Sequence, residues 1–199
     1  MTLYDLKPRF QALLRPIVAQ LASVGITANQ VTLAAAGCSV GLGMVLVALP
    51  VNRALFLLLP AWLLVRMALN AIDGMLAREH GQASRLGGYL NELCDVVSDA
   101  ALLLPFAFIA PFGPVSVFAV IFLAALSEYA GVMGPLVGAT RRYDGPFGKS
   151  DRALATGVLG LWTGAALPMP EWLFWIMPAF AALLVFTTFN RIRAGLRES

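Results

Sequence analysis

Charge is scarce in this sequence. Only 13% of its 199 residues are Asp, Glu, Lys or Arg, about half the share of a soluble domain. That excludes a soluble globule, which needs a polar coat, and a disordered chain, which needs high charge and low hydrophobicity. Cysteine occurs twice, as Cys38 and Cys94, both inside apolar stretches, so a secreted disulfide scaffold is excluded too. The one histidine, His80, reads as a solvated loop residue. No secretory leader is evident, because the first 29 residues mix charged and apolar groups instead of running apolar to a cleavage site. A net charge of +3 is modest, and no nucleic-acid partner is expected. Internal repeats and low-complexity tracts are missing as well.

What is present is apolar. Hydrophobic residues make up 59% of the chain, and its mean hydropathy is +0.79. At about 20 residues per span, this length predicts an all-α integral membrane protein forming a single membrane domain over 1–199. An N-terminal amphipathic helix over 1–24 carries Leu3, Leu6, Phe10, Leu13, Leu14, Ile17, Val18 and Leu21 at helical spacing, with Lys7, Arg9 and Arg15 elsewhere. It reads as interfacial, lying on the bilayer, or as an ordinary amphipathic helix packed on protein. A bundle of six transmembrane helices over 30–193 follows, with spans near 30–50, 54–78, 87–110, 115–138, 153–168 and 172–190.

Basic residues set the orientation. With six spans both termini share one side, and that side collects 12 of the 14 Lys and Arg residues. Arg53 alone lies opposite, and Arg66 falls within a span. Both termini are therefore expected in the cytoplasm. Arg141, Arg142, Arg191 and Arg193 read as positive-inside anchors.

The second and third spans carry the chemistry. Asp73, Asp95, Asp99 and Glu128 would together cost on the order of 10 kcal/mol if they faced lipid, so they face protein, a wet cavity or a metal. Asn70, Asp73 and Ala77 fall on one helical stripe, as do Asn91, Asp95 and Asp99. A loop of eight residues joins the two spans, so the stripes meet near the cytoplasmic ends. Oxygen ligands from two helices suit a hard divalent cation such as Mg²⁺ or Mn²⁺. Deeper in, Arg66 and Asp99 match in depth and read as a buried structural pair. Glu128 joins that pair or faces the cavity.

The segment Asn70-x-x-Asp73-Gly74-x-x-Ala77-Arg78, eight residues, then Gly87-x-x-x-Asn91-x-x-x-Asp95 resembles the signature of the CDP-alcohol phosphotransferase (CDP-alcohol phosphatidyltransferase) family, D-x-x-D-G-x-x-A-R-x(8)-G-x-x-x-D-x-x-x-D. The spacing agrees throughout. The resemblance implies a surface helix followed by six spans, a homodimer, and transfer of a substituted phosphate group from CDP-diacylglycerol to an alcohol with release of CMP. The signature acids would hold one or two divalent ions, here through Asn70, Asp73, Asn91 and Asp95, and Asp95 would take the acceptor's proton. Gly74, Ala77, Arg78, Gly87 and Ser84 would contact the CDP donor. Thr27-Ala28-Asn29-Gln30-Val31-Thr32 resembles the family's T-P-N-x-x-T stretch, which makes Asn29 and Thr32 donor contacts, although Thr27 or Asn29 would equally cap a helix. Gly145-Pro146-Phe147-Gly148-Lys149-Ser150-Asp151-Arg152 resembles the family's basic segment near the acceptor, implicating Lys149 and Arg152 in phosphate binding.

The departure from the signature is specific. Asn70 and Asn91 stand where it has Asp, so two negative charges are missing from a site for two dications. Glu92 and Asp99 are the nearby acids able to compensate. A rival reading follows: a relative that binds CDP-lipid with reduced or lost catalysis. A small transporter is the other rival, and the clustering of acids at one end of the spans argues against it. The acceptor alcohol is not written in the sequence.

Overall fold

The computed structural model describes residues 3–198, with side chains from Phe10 onward; Leu3, Leu6, Lys7 and Arg9, placed on the surface helix above, lie outside those described side chains. Seven α-helices follow in order: α1 (Leu3–Ser23), α2 (Ala28–Ala48), α3 (Leu58–Glu79), α4 (Arg85–Leu103), α5 (Pro114–Val132), α6 (Lys149–Gly164) and α7 (Ile176–Glu198). Short 3₁₀ turns link several of them, and no strand occurs among the described residues.

The helix ends follow from their residues. α1 stops where Gly25 takes φ +81°. Ile26 N–H then donates to the Leu21 carbonyl at 2.9 Å and Gly25 N–H to that of Ala22 at 3.1 Å, a Schellman closure that a side chain at Gly25 would strain. Thr27 caps α2: its Oγ1 accepts from Gln30 N–H at 3.3 Å, while Gln30 Oε1 accepts from Thr27 N–H at 2.9 Å. Thr27 is thus the cap of the Thr27-Ala28-Asn29 stretch.

Four segments are long and apolar enough to cross a bilayer: Ala28–Ala48, Arg53–Glu79, Pro114–Val132 and Glu171–Glu198. The sequence reading expected six. The two others differ for identifiable reasons. α4 carries Arg85, Glu92, Asp95 and Asp99 on one helix, and α6 has only 16 residues, with Lys149, Asp151 and Arg152 in its first turn. These are the elements that furnish polar groups to the site.

Packing brings them inward. α4 lies against α2 and α5, α6 against α3, and α7 against α5. A Cβ on Gly160 would stand 2.7 Å from Leu59 Cβ, and one on Gly164 would stand 2.6 Å from the Leu57 backbone nitrogen. Their bare backbones let α6 press onto the start of α3. Phe56, Phe106 and Phe112 stack edge to face at 5.4 and 5.7 Å in the main core. A smaller core joins Leu14 and Val18 of α1 to Val31, Ile72, Met75 and Leu76. α1 therefore buries one stripe on protein, while Leu13 and Ile17 stay exposed.

Candidate active site

The end of α3, the start of α4 and the start of α2 converge. Asp73 is 5% exposed, and Thr32 Oγ1 donates to its Oδ2 at 2.7 Å. Arg78, one turn later, folds its guanidinium back over Gly74, so a Cβ there would lie 3.1 Å from both terminal nitrogens. Gly87 is similarly crowded, with its absent Cβ 2.9 Å from Asn29 Oδ1 and 3.1 Å from Ser84 Oγ. Asn29, Ser84 and Gly87 thus meet. Ser84 is also the N-cap of α4, its Oγ accepting from Gly87 N–H at 2.9 Å. Ala77 is half-buried on the same helix as Asp73 and packs on the smaller core.

Gln82, which belongs to no motif in the sequence, locks this corner. Its Oε1 accepts from Ala28 N–H at 2.7 Å and its Nε2 donates to the Ile26 carbonyl at 3.5 Å. An orphan donor at the start of α2 is thereby satisfied from the α3–α4 loop. The available signal was a Gln in a short loop opposite a helix start.

Asp95 is held on both oxygens. Arg66 donates to Oδ1 at 3.1 Å, and Lys149 forms an ion pair with Oδ2. Arg66 also reaches Asp99 at 2.5 Å, and Arg152 meets the other Asp99 oxygen at 3.0 Å. Arg152 continues to Glu128 at 2.8 Å, where Arg191 and Arg141 also arrive. Arg141 additionally pairs with Glu92. Arg141 and Arg191, read from sequence as membrane anchors, therefore turn inward, because Glu128 and Glu92 offer them counter-charges that lipid phosphate would otherwise supply. Asn70 lies beside Lys149 along a groove, and Asn91 is exposed.

A hard divalent ion asks for oxygen ligands, and Mg²⁺ is commonly held by one or two carboxylates plus substrate phosphates. Asp73 and Asp95, close enough to repel each other, and the amide oxygens of Asn70 and Asn91 are donors of that kind for one such ion. Among the described residues no three His, Cys, Asp or Glu side chains group as ligands, so amide and substrate oxygens would have to complete the shell around the two carboxylates. Lys149 competes with any ion for Asp95 Oδ2.

A groove of about 500 Å³ runs between α3 and α6. Its walls are apolar, with Leu64, Leu154, Val158 and Leu161 all exposed to the outside. Arg66, Asn70, Lys149 and Ser150 supply its polar lining. The arrangement accommodates a molecule with a hydrocarbon tail and an anionic head.

A family model described as CDP-alcohol phosphatidyltransferase matches residues 25–189. Inner membrane protein YnbA of Escherichia coli K12 is 47% identical, covering 100% of this chain and 98% of its own length. Phosphatidylinositol phosphate synthase of Corynebacterium glutamicum is 28% identical over 96% of this chain and 86% of its own. In fold, the chain resembles Mycobacterium tuberculosis phosphatidylinositol phosphate synthase solved with manganese and citrate, with TM-score 0.72 at 22% identity over 91% of this chain and 88% of that one. The same enzyme solved with CDP-DAG bound gives TM-score 0.71 over 90% of this chain and 92% of that one.

Proposed function

Because this chain belongs to the CDP-alcohol phosphatidyltransferase family, we propose that it transfers a phosphatidyl group from CDP-diacylglycerol to an alcohol acceptor and releases CMP. One observation supports the lipid donor: an apolar groove between α3 and α6, whose Leu64, Leu154 and Leu161 are exposed, is lined by Asn70 and Lys149 beside the signature acid Asp95. In this reading all six helices α2–α7 cross the membrane as one domain, α1 lies at the interface, and both termini and the site face the cytoplasm. The chain would act as a homodimer, by likeness to its family.

The roles proposed here follow the family signature. Asn29, Thr32, Ser84 and Gly87 bind the CDP moiety with the Gly74–Ala77 face and Arg78. Asp73 and Asp95, helped by Asn70 and Asn91, would hold one Mg²⁺ or Mn²⁺, which when bound neutralises diphosphate charge. The arriving diphosphate draws Lys149 off Asp95. Asp95 Oδ2 then accepts the acceptor hydroxyl's proton. The alcohol oxygen bonds to the lipid-side phosphorus as the bond to CMP oxygen breaks. Alignment and charge neutralisation supply most of such a rate.

A second reading has its own support. Asn70, Asn91 and the doubly held Asp95 favour a relative that binds CDP-lipid without turning it over. Purified protein in lipid nanodiscs, given CDP-diacylglycerol and pooled alcohols, decides between them. Metal-dependent CMP release that Asp95→Asn abolishes supports the transferase; CDP-lipid binding with no CMP release supports the binding protein.

A further inference from the structure

One buried carboxylate gathers charges from three other places in the fold. Glu128 on α5 is 7% exposed. Arg152 of α6 donates to its Oε1 at 2.8 Å, Arg191 of α7 meets Oε2 at 3.1 Å, and Arg141, between α5 and α6, meets Oε2 at 3.3 Å. Other acceptors hold these arginines in place. Arg191, 2% exposed, donates to the carbonyls of Ser127 at 2.5 Å and Asp144 at 3.4 Å. Arg152 is tied to Asp99 and Arg141 to Glu92.

Three guanidinium groups aimed at one point are how a protein holds a phosphate. Here the anion at that point belongs to the protein itself. Arg152 Nε and NH1 and Arg141 Nε are buried without a partner, so the cluster retains donor capacity. The cavity beside Glu128, which Arg66, Asp99 and Arg152 also border and whose other walls are mostly apolar, measures about 30 Å³. That is room for a water or two, too little for a phosphate group carrying an alcohol.

We infer that Glu128 determines acceptor specificity: it occupies the anion position of the Arg141–Arg152–Arg191 cluster and so restricts the acceptor to alcohols that carry no phosphate group. A phosphomonoester would have to displace a buried carboxylate from all three arginines or sit beside it against like charge. An uncharged or zwitterionic alcohol meets neither obstacle. The word acceptor rests on the transferase reading, whereas the anion position does not.

The test uses the full chain in nanodiscs titrated calorimetrically with inorganic phosphate. Wild type shows no saturable binding at millimolar phosphate. Glu128→Gln binds phosphate at least about tenfold more tightly, and adding Arg152→Met removes the gain. A parallel arm compares CMP release with glycerol and with glycerol 3-phosphate, the phosphorylated alcohol being used only by Glu128→Gln. Saturable phosphate binding by wild type that Arg152→Met abolishes overturns the inference, as does a folded Glu128→Gln that gains no binding. If Glu128→Gln does not fold, the wild-type titration alone decides. Absence of CMP release in every arm defeats the transferase reading and leaves the phosphate titration to judge Glu128.

Discussion

At Gly87 a single hydrogen in place of a side chain leaves room for Asn29 and Ser84. Alanine there would drive a methyl to 2.9 Å from Asn29 Oδ1 while improving helix propensity in the first turn of α4. Gly87→Ala should therefore lower CDP-lipid turnover by about tenfold, through displacement of Asn29, with the melting temperature unchanged or raised. A parallel fall in melting temperature would show that the glycine serves packing alone. Asn70 and Asn91 make the opposite experiment. Restoring Asp at both adds two negative charges near Asp73 and Asp95, and Mn²⁺ affinity, read by electron paramagnetic resonance, should rise at least tenfold. These residues were legible because signature spacing survives substitution. The inward turn of Arg141 and Arg191 was not, since a basic residue at a span end looks the same whether its counter-charge is a lipid or a buried Glu128.

Each helix solves a local problem that its neighbours then exploit. The α6 glycines permit backbone contact with α3, and that contact carries Lys149 and Arg152 to Asp95 and Asp99. Gly164→Leu should overpack this seam and cost about 1–3 kcal/mol, visible as a lower thermal midpoint together with weaker CDP-lipid binding. The loop before α6 has a pH signature. Arg142 hydrogen-bonds Asp144 and holds its carboxyl below the usual carboxylate range. The lowered value means the pairing stabilises the fold above the unfolded carboxyl's pKa and fades as pH falls through the folded one. Asp144→Asn should flatten the acid limb of a melting-temperature profile below about pH 4; an unchanged limb would assign it to other acids. The Thr27 cap and the uncharged apolar run after it announced α2, and the apolar run over 54–65 announced the start of α3. α4 and α6 announced themselves less clearly, because the same polar residues that make them useful lower the apolar signal by which spans are read.

Across the whole molecule, charge sorts the two faces. Residues near Gly81 lie on the basic side and Val51 lies opposite, so in a background with Cys38 and Cys94 replaced, cysteine at 51 should react with an impermeant thiol reagent from outside the cell. Cysteine at 81 should react only after permeabilisation. The reverse pattern would invert the proposed orientation and move the site out of the cytoplasm. The α3–α6 groove has a kinetic consequence. In the proposed arrangement its exposed leucines would open sideways into the bilayer, so a donor arriving there is counted per unit of leaflet area and not per volume of buffer. Turnover would then follow the mole fraction of CDP-lipid in the leaflet, and adding inert phospholipid at constant total donor would slow the protein by surface dilution alone.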